Sequence, residues 1–139
     1  MINSLDISTS ALVAQRARMN AISSNMANMS TPLDENGEGT PFQQRFVILQ
    51  ADPTVGGNGA PGVKVASVES KPVEPRWKYQ PGHPLAAKDG PKKGFVAYPD
   101  VNMMTEFTDA LEAARAYEAN LGAMEMTKDL AQQTLRIIA

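Results

Sequence analysis

His83 is the only histidine in this chain of 139 residues, and cysteine is absent. Metal sites and thiol chemistry draw on several such side chains, so neither a histidine pair nor a thiolate cluster can be assembled. His83 lies inside Pro81-Gly82-His83-Pro84, where two prolines force a turn and the imidazole has a structural rather than a catalytic setting. The glycines at 56, 57, 59 and 62 have the look of a phosphate cradle. No Gly-Lys-Ser/Thr follows them and they do not open a helix, so the phosphate signal fails. Asp34-Glu35 pairs two carboxylates, but in a polar loop with nothing apolar to raise a pKa for acid catalysis. Asn28-Met29-Ser30 matches a glycosylation acceptor only at the level of chance. These residue types predict no catalytic residue, no cofactor and no metal, and the chain is not expected to be an enzyme.

Charge narrows the partners further. Thirteen basic and fifteen acidic residues give a formal charge of −2, which lacks the basic excess expected of a nucleic-acid binder. No apolar run approaches the eighteen or so residues that span a bilayer, so no membrane span is expected. The first residues, Met-Ile-Asn-Ser-Leu-Asp, show no basic stretch leading into an apolar core, so no cleavable signal is expected.

What could position anything is divided sharply along the chain. All ten prolines lie between Pro32 and Pro99, and nine of the ten glycines lie between Gly37 and Gly94. Proline and glycine are the poorest helix formers, so two proline-free ends flank a turn-rich middle. At the C-terminal end, steps of four and three run through Met103, Phe107, Ala110, Ala114, Tyr117, Leu121, Met124, Lys128, Ala131, Leu135 and Ile138, with Leu111 and Leu130 beside them. Only Lys128 breaks the apolar series. That alternation is the seam of a helix packed along another, capped by Asp100 or Asn102 after Pro99. The same stepping recurs at the N-terminal end through Leu5, Ser8, Leu12, Gln15, Met19, Ile22, Met26 and Met29, predicting a helix from about residue 5 to about 29. Asn3 or Ser4 would cap it, with Asp6 in its first turn. Asn20, Asn25 and Asn28 lie near one edge of its methionine stripe, a placement that predicts hydrogen bonds between chains. Glu112–Arg115, Arg115–Glu118 and Glu125–Lys128 are spaced as helix-surface ion pairs.

The middle predicts about four short strands: Phe42 to Leu49, Val63 to Val68 with an irregularity in its alternation, Arg76 to Gln80, and Phe95 to Tyr98. Asn36-Gly37 and Asn58-Gly59 are candidate tight turns. The fold class expected is α+β. Residues 1–31 and 100–139 would form a discontinuous helical coiled coil, and 32–99 a small β-rich module with flexible loops. Neither end can bury its apolar edge alone, so the ends are expected to become ordered when many copies pack together.

Three blocks carry a resemblance. Ala14-Gln15-Arg16-Ala17-Arg18-Met19-Asn20, with Ile22, Asn25, Ala27 and Asn28, resembles the N-terminal signature of bacterial flagellar rod and hook proteins. Tyr98-Pro99-Asp100-Val101-Asn102 and Glu112-Ala113-Ala114-Arg115-Ala116-Tyr117-Glu118-Ala119-Asn120 are similar to the C-terminal signature of the proximal rod members, as is the turn Tyr79-Gln80-Pro81-Gly82-His83-Pro84. Departures fall at Gln80 and Asp100, at Pro91-Lys92-Lys93, and at Ser10-Ala11-Leu12. The resemblance implies a structural subunit of the proximal rod, the hollow drive shaft of the flagellar basal body, exported by the flagellar type III apparatus without a cleaved signal. It implies as partners other copies of itself, other rod proteins, the membrane ring and the export gate. It also marks Gln15, Arg16, Asn20, Asn25, Asn28, Asn102, Arg115, Glu118 and Asn120 as motif positions. The competing expectation is a soluble helical-hairpin adaptor whose β module binds a protein.

Overall fold

A computed structural model describes residues 2–33, 40–56 and 59–138. Its elements are α1 (Ile2–Ala27), β1 (Gln44–Asp52), β2 (Gly62–Lys71), β3 (Arg76–Tyr79), β4 (Phe95–Tyr98) and α2 (Met103–Ile138). Both helices therefore come from the proline-free ends, and all four strands from the proline-bearing middle.

The helices pack against each other and run antiparallel. Asn25 of α1 meets Glu106 of α2 at 3.2 Å, and Arg18, two turns earlier on α1, meets Glu112 further along α2 at 3.5 Å. Small side chains let the two backbones approach: Ala14, Ala21 and Ala113 are all buried, as is the larger Ile22. Continuing that register brings the start of α1 opposite the region of Lys128. At about 1.5 Å per residue, the last ten or so residues of α2 then run past α1. Their side chains agree, since Leu130, Leu135 and Ile137 are 60%, 67% and 85% exposed.

β1 and β2 form an antiparallel hairpin that lies across α1. Pairing passes from Ile48↔Ser67 to Leu49↔Val65, which leaves Ala66 as a bulge and accounts for the broken alternation of that strand. A side chain of α1 holds the hairpin at each end. At the tip, the Val63 N–H donates to Ser10 Oγ at 3.0 Å. At the base, the Asn25 amide grips Arg45. Gly62 permits the tip contact, because a Cβ there would lie 2.7 Å from Val55 and 2.8 Å from the Ser10 hydroxyl.

β3 and β4 form a second antiparallel hairpin that contacts neither helix nor the first hairpin. Val96 of β4 and Val101, which follows it, are buried where this hairpin runs into α2. Tyr79 meets Phe95 edge to face at 5.2 Å. Gly94 turns the chain beside them with φ near +80°, and a Cβ would come within 2.9 Å of the Tyr79 ring.

Several expectations are corrected. α1 begins at Ile2 and ends at Ala27, so Asn3 and Ser4 are helical rather than capping, and Asp6 lies past the first turn. The first strand starts at Gln44 and runs to Asp52, while Phe42 is buried ahead of it with its N–H donating to the Thr31 carbonyl at 3.3 Å instead of pairing in the ladder. The four strands pair as two separate two-stranded hairpins. Asn102, not Asp100, caps α2, its Oδ1 accepting from the Met104 N–H at 3.0 Å. The candidate turn at Asn36-Gly37 and the Asn58 half of the other candidate lie outside the described residues.

Candidate functional site

Two features of the surface and core are built by more than one element. The first is a polar junction. Asn25 and Glu106 are 1% and 2% exposed, and both sit on the face where α1, β1 and α2 converge. Asn25 Nδ2 donates to the Arg45 carbonyl at 2.9 Å and to Glu106 Oε2 at 3.2 Å. Its Oδ1 accepts from the Arg45 N–H at 2.8 Å. The other carboxylate oxygen, Oε1, accepts from Gln44 Nε2. The amide thus imitates a neighbouring strand at the free edge of β1, and so joins the hairpin to both helices. Buried polar groups cost stability unless paired, and here the pairing is complete enough to fix one arrangement. The hydrogen bonds of Asn25 fall within the chain, which corrects the expectation of bonds between chains. A donor-rich side chain beside a strand edge and a buried carboxylate finds its partners locally.

Asn28 is also satisfied internally. Its Nδ2 donates to the Ser24 carbonyl at 2.9 Å and its Oδ1 accepts from Thr31 Oγ1 at 3.3 Å, finishing α1. Asn120 donates to the Ala116 carbonyl at 2.7 Å. Asn20, Arg16, Arg115 and Glu118 are exposed, and Gln15 is half-buried with its Oε1 unpartnered. Glu112 meets Arg18 across the helix pair rather than Arg115 along its own helix.

The second feature is an uncovered apolar face on α2. On α1 the predicted packing positions turn inward: Ile22 is buried, and Leu5, Leu12, Met19 and Met26 are half-buried. On α2 they divide. Tyr117 and Met124 are half-buried, whereas Met103, Phe107, Leu111, Leu121 and Leu135 are 54%, 52%, 45%, 44% and 67% exposed. Ile138 closes the helix, at its last residue. The surface turned to α1 carries Glu106 and Ala113 instead. One helix partner leaves most of the large side chains of α2 uncovered, because a side chain at one phase of a helix cannot face two directions. Glu106 went unnoticed in the sequence although Ala110 and Ala113 follow it at i+4 and i+7, the pattern of a close-packed face.

His83 Nδ1 accepts from the Leu85 N–H at 3.1 Å, a turn contact. Asp52 accepts from both the hydroxyl and the N–H of Thr54, at 2.6 and 3.0 Å, which holds its carboxyl below the usual range. Among the described residues no cluster of His, Asp or Glu could hold a metal ion. No helix there is long and apolar enough to cross a membrane.

Comparison with known families matches both ends of the chain. Residues 5–32 fit the family described as flagella basal body rod protein, and 92–137 the C-terminal region of the flagellar basal body rod FlgEFG proteins. Similar proteins include the flagellar basal-body rod protein FlgC of Yersinia enterocolitica, 36% identical over 99% of this chain and 97% of that one. FlgC of Bacillus subtilis is 35% identical over 97% and 96%. FlgC of Salmonella typhimurium is 34% identical over 99% and 97%. With a matched end on each side of the polar junction and identity above 30% along nearly its whole length, this chain belongs to the FlgC family of flagellar basal-body rod proteins.

Proposed function

We propose that this chain is a structural subunit of the proximal rod, stacking helically with copies of itself and with other rod proteins. The single observation behind this reading is the apolar face of α2, from Met103 and Phe107 to Leu135, which α1 leaves uncovered. Contiguous exposed apolar surface on this scale is the mark of a contact surface. In the assembly, residues 1–31 and 100–139 form a coiled-coil inner layer around an export channel, and 32–99 stand outside it. Rigid stacking of such layers transmits torque. The rod lies in the periplasm, and each subunit reaches it unfolded through the flagellar type III export gate, within the membrane ring that houses the base. Leu5, Leu12, Met19, Ile22 and Met26 support the packing of α1, while the exposed positions of α2 meet neighbouring subunits.

The test is complementation of swimming in a host lacking its own copy of this protein. Phe107→Asp together with Leu111→Asp should abolish swimming while circular dichroism of the purified variant matches the parent. Full swimming by that double variant would sink the reading. A protein-binding helical-hairpin adaptor is favoured by one observation, the pairing of α1 with α2 inside one chain. That alternative requires a lone chain that stays monodisperse at every concentration, as sedimentation would show.

A further inference from the structure

The apolar surface of α2 changes sides along the helix. Buried Glu106 and Ala113 mark the line along which α2 meets α1. Successive residues turn by about 100° around the axis, which places every other position relative to that line. In the first third of the helix the large exposed side chains are Met103, Met104, Phe107 and Leu111, all on one flank. No charged residue of α2 precedes Glu118 in that sector. Leu121 ends the series among exposed Glu118, Glu125, Lys128, Asp129 and Arg136, which occupy the same flank. Further along, the exposed apolar residues Ala119, Met126, Leu130 and Ile137 have crossed to the other flank. The charges on that second flank, Glu112 and Arg115, come before its apolar stretch. Each flank is thus apolar over one half and charged over the other, in opposite order.

One helix cannot bring its own two flanks together, so neither apolar half covers the other within a chain. Residues 34–39, Asp-Glu-Asn-Gly-Glu-Gly, hold no apolar side chain that could stand in for a partner. A parallel α2 from a second copy, laid alongside in register, would set Phe107 and Leu111 against Glu112 and Arg115. A charge pressed against apolar side chains loses its water without gaining a partner, which is unfavourable. Shifting the second copy by about twenty residues, roughly 30 Å, instead sets one apolar half on the other. An antiparallel pair of first halves would also bury Phe107, but it leaves Met126, Leu130 and Ile137 uncovered and closes as a dimer.

We propose that the Met103–Leu111 flank of α2 docks on the Met126–Ile137 flank of α2 in a second copy of this chain, the two helices parallel and staggered by roughly 30 Å. The contact rests on the rod-subunit reading and names the partner surface for its apolar face. Because the two flanks differ, the contact repeats head to tail without closing, which suits an open helical array. The flanks lie about 105° apart around the helix rather than opposite each other, so successive copies turn and the array winds about an axis. The charges on each flank set the stagger, since any other offset buries some of them against apolar side chains.

The test uses the full-length chain, which has no cysteine of its own. A variant carrying both Leu111→Cys and Leu130→Cys is treated with a short bis-maleimide, as purified chain at high concentration and in the complementation host. Both positions are exposed, so helicity by circular dichroism should equal the parent's. The double variant should give a ladder of covalent multimers on a denaturing gel, because position 111 of one copy faces position 130 of the next. Each single-cysteine variant should stay monomeric, since like positions in neighbouring copies are roughly 30 Å apart. The same distance prevents a crosslink within one chain. A ladder in either setting, with both single variants monomeric, supports the contact. No ladder in either setting overturns it, and so do dimers from a single-cysteine variant, which would report a closed antiparallel pair. A missing ladder while Phe107→Asp with Leu111→Asp still abolishes swimming removes the stagger alone. Swimming by that aspartate variant removes the rod-subunit reading, so the two fail separately.

Discussion

An asparagine amide offers one acceptor and two donor hydrogens, and at Asn25 all are engaged by Arg45 and Glu106. Removing the amide leaves a strand-edge N–H, its carbonyl and a buried carboxylate without partners. Asn25→Leu should therefore destabilise the chain by about 3 kcal/mol in urea unfolding, although it adds apolar volume. Asn25→Asp should cost more than Asn25→Leu at neutral pH, because a second carboxylate would face Glu106 at hydrogen-bond distance. A smaller loss for Asp than for Leu would show that Glu106 does not govern the junction. Asp52 allows a separate check by pH. Its folded-state carboxyl is held below the ordinary value by the Thr54 hydroxyl and N–H. Its contribution is complete above the ordinary carboxylate range and is lost as pH falls through the lowered folded value. Thr54→Val should move the Asp52 titration upward in an NMR pH series, and an unmoved titration would contradict that cause.

At the level of elements, the hairpins depend on close approach at glycines. Gly94 adopts φ near +80° with the Tyr79 ring 2.9 Å from where a Cβ would sit. Gly94→Ala should destabilise by about 1–2 kcal/mol and disturb the Tyr79–Phe95 contact, visible in aromatic NMR shifts. A Gly82→Ala control should be nearly neutral, since a Cβ there meets nothing within 4 Å. The chemistry of short segments made these elements legible beforehand. Phe95–Tyr98 and the start of the third strand at Arg76 coincide with their alternating runs, and Ala66 is the bulge that the uneven Val63–Val68 pattern required. The first strand begins two residues after Phe42 because the Phe42 N–H is taken by the Thr31 carbonyl, and alternation cannot tell a buried residue beside a strand from one within it.

For the whole molecule, the overhang of α2 separates folding from assembly. Residues beyond about 130 find no partner in α1, so deleting 131–139 should change the thermal midpoint of the isolated chain by no more than a degree or two. The same deletion should abolish swimming in the complementation assay, and preserved swimming would show that the overhang is dispensable to the rod.

The sequence by itself determined which segments are helical, that the middle holds four short strands and that the ends carry long apolar faces, because proline and glycine placement and side-chain periodicity act within a few residues. It also carried the family signature at Gln15, Asn25 and Asn102. Only the tertiary structure decided which phase of α2 faces α1, that Asn25 bonds within the chain, and that Gln44, Arg45 and Glu106 meet there. Glu106 lies 62 positions from Gln44 and 81 from Asn25 along the chain. Periodicity repeats identically on every face it could serve, so a partner's position, not the pattern, selects the face that is buried.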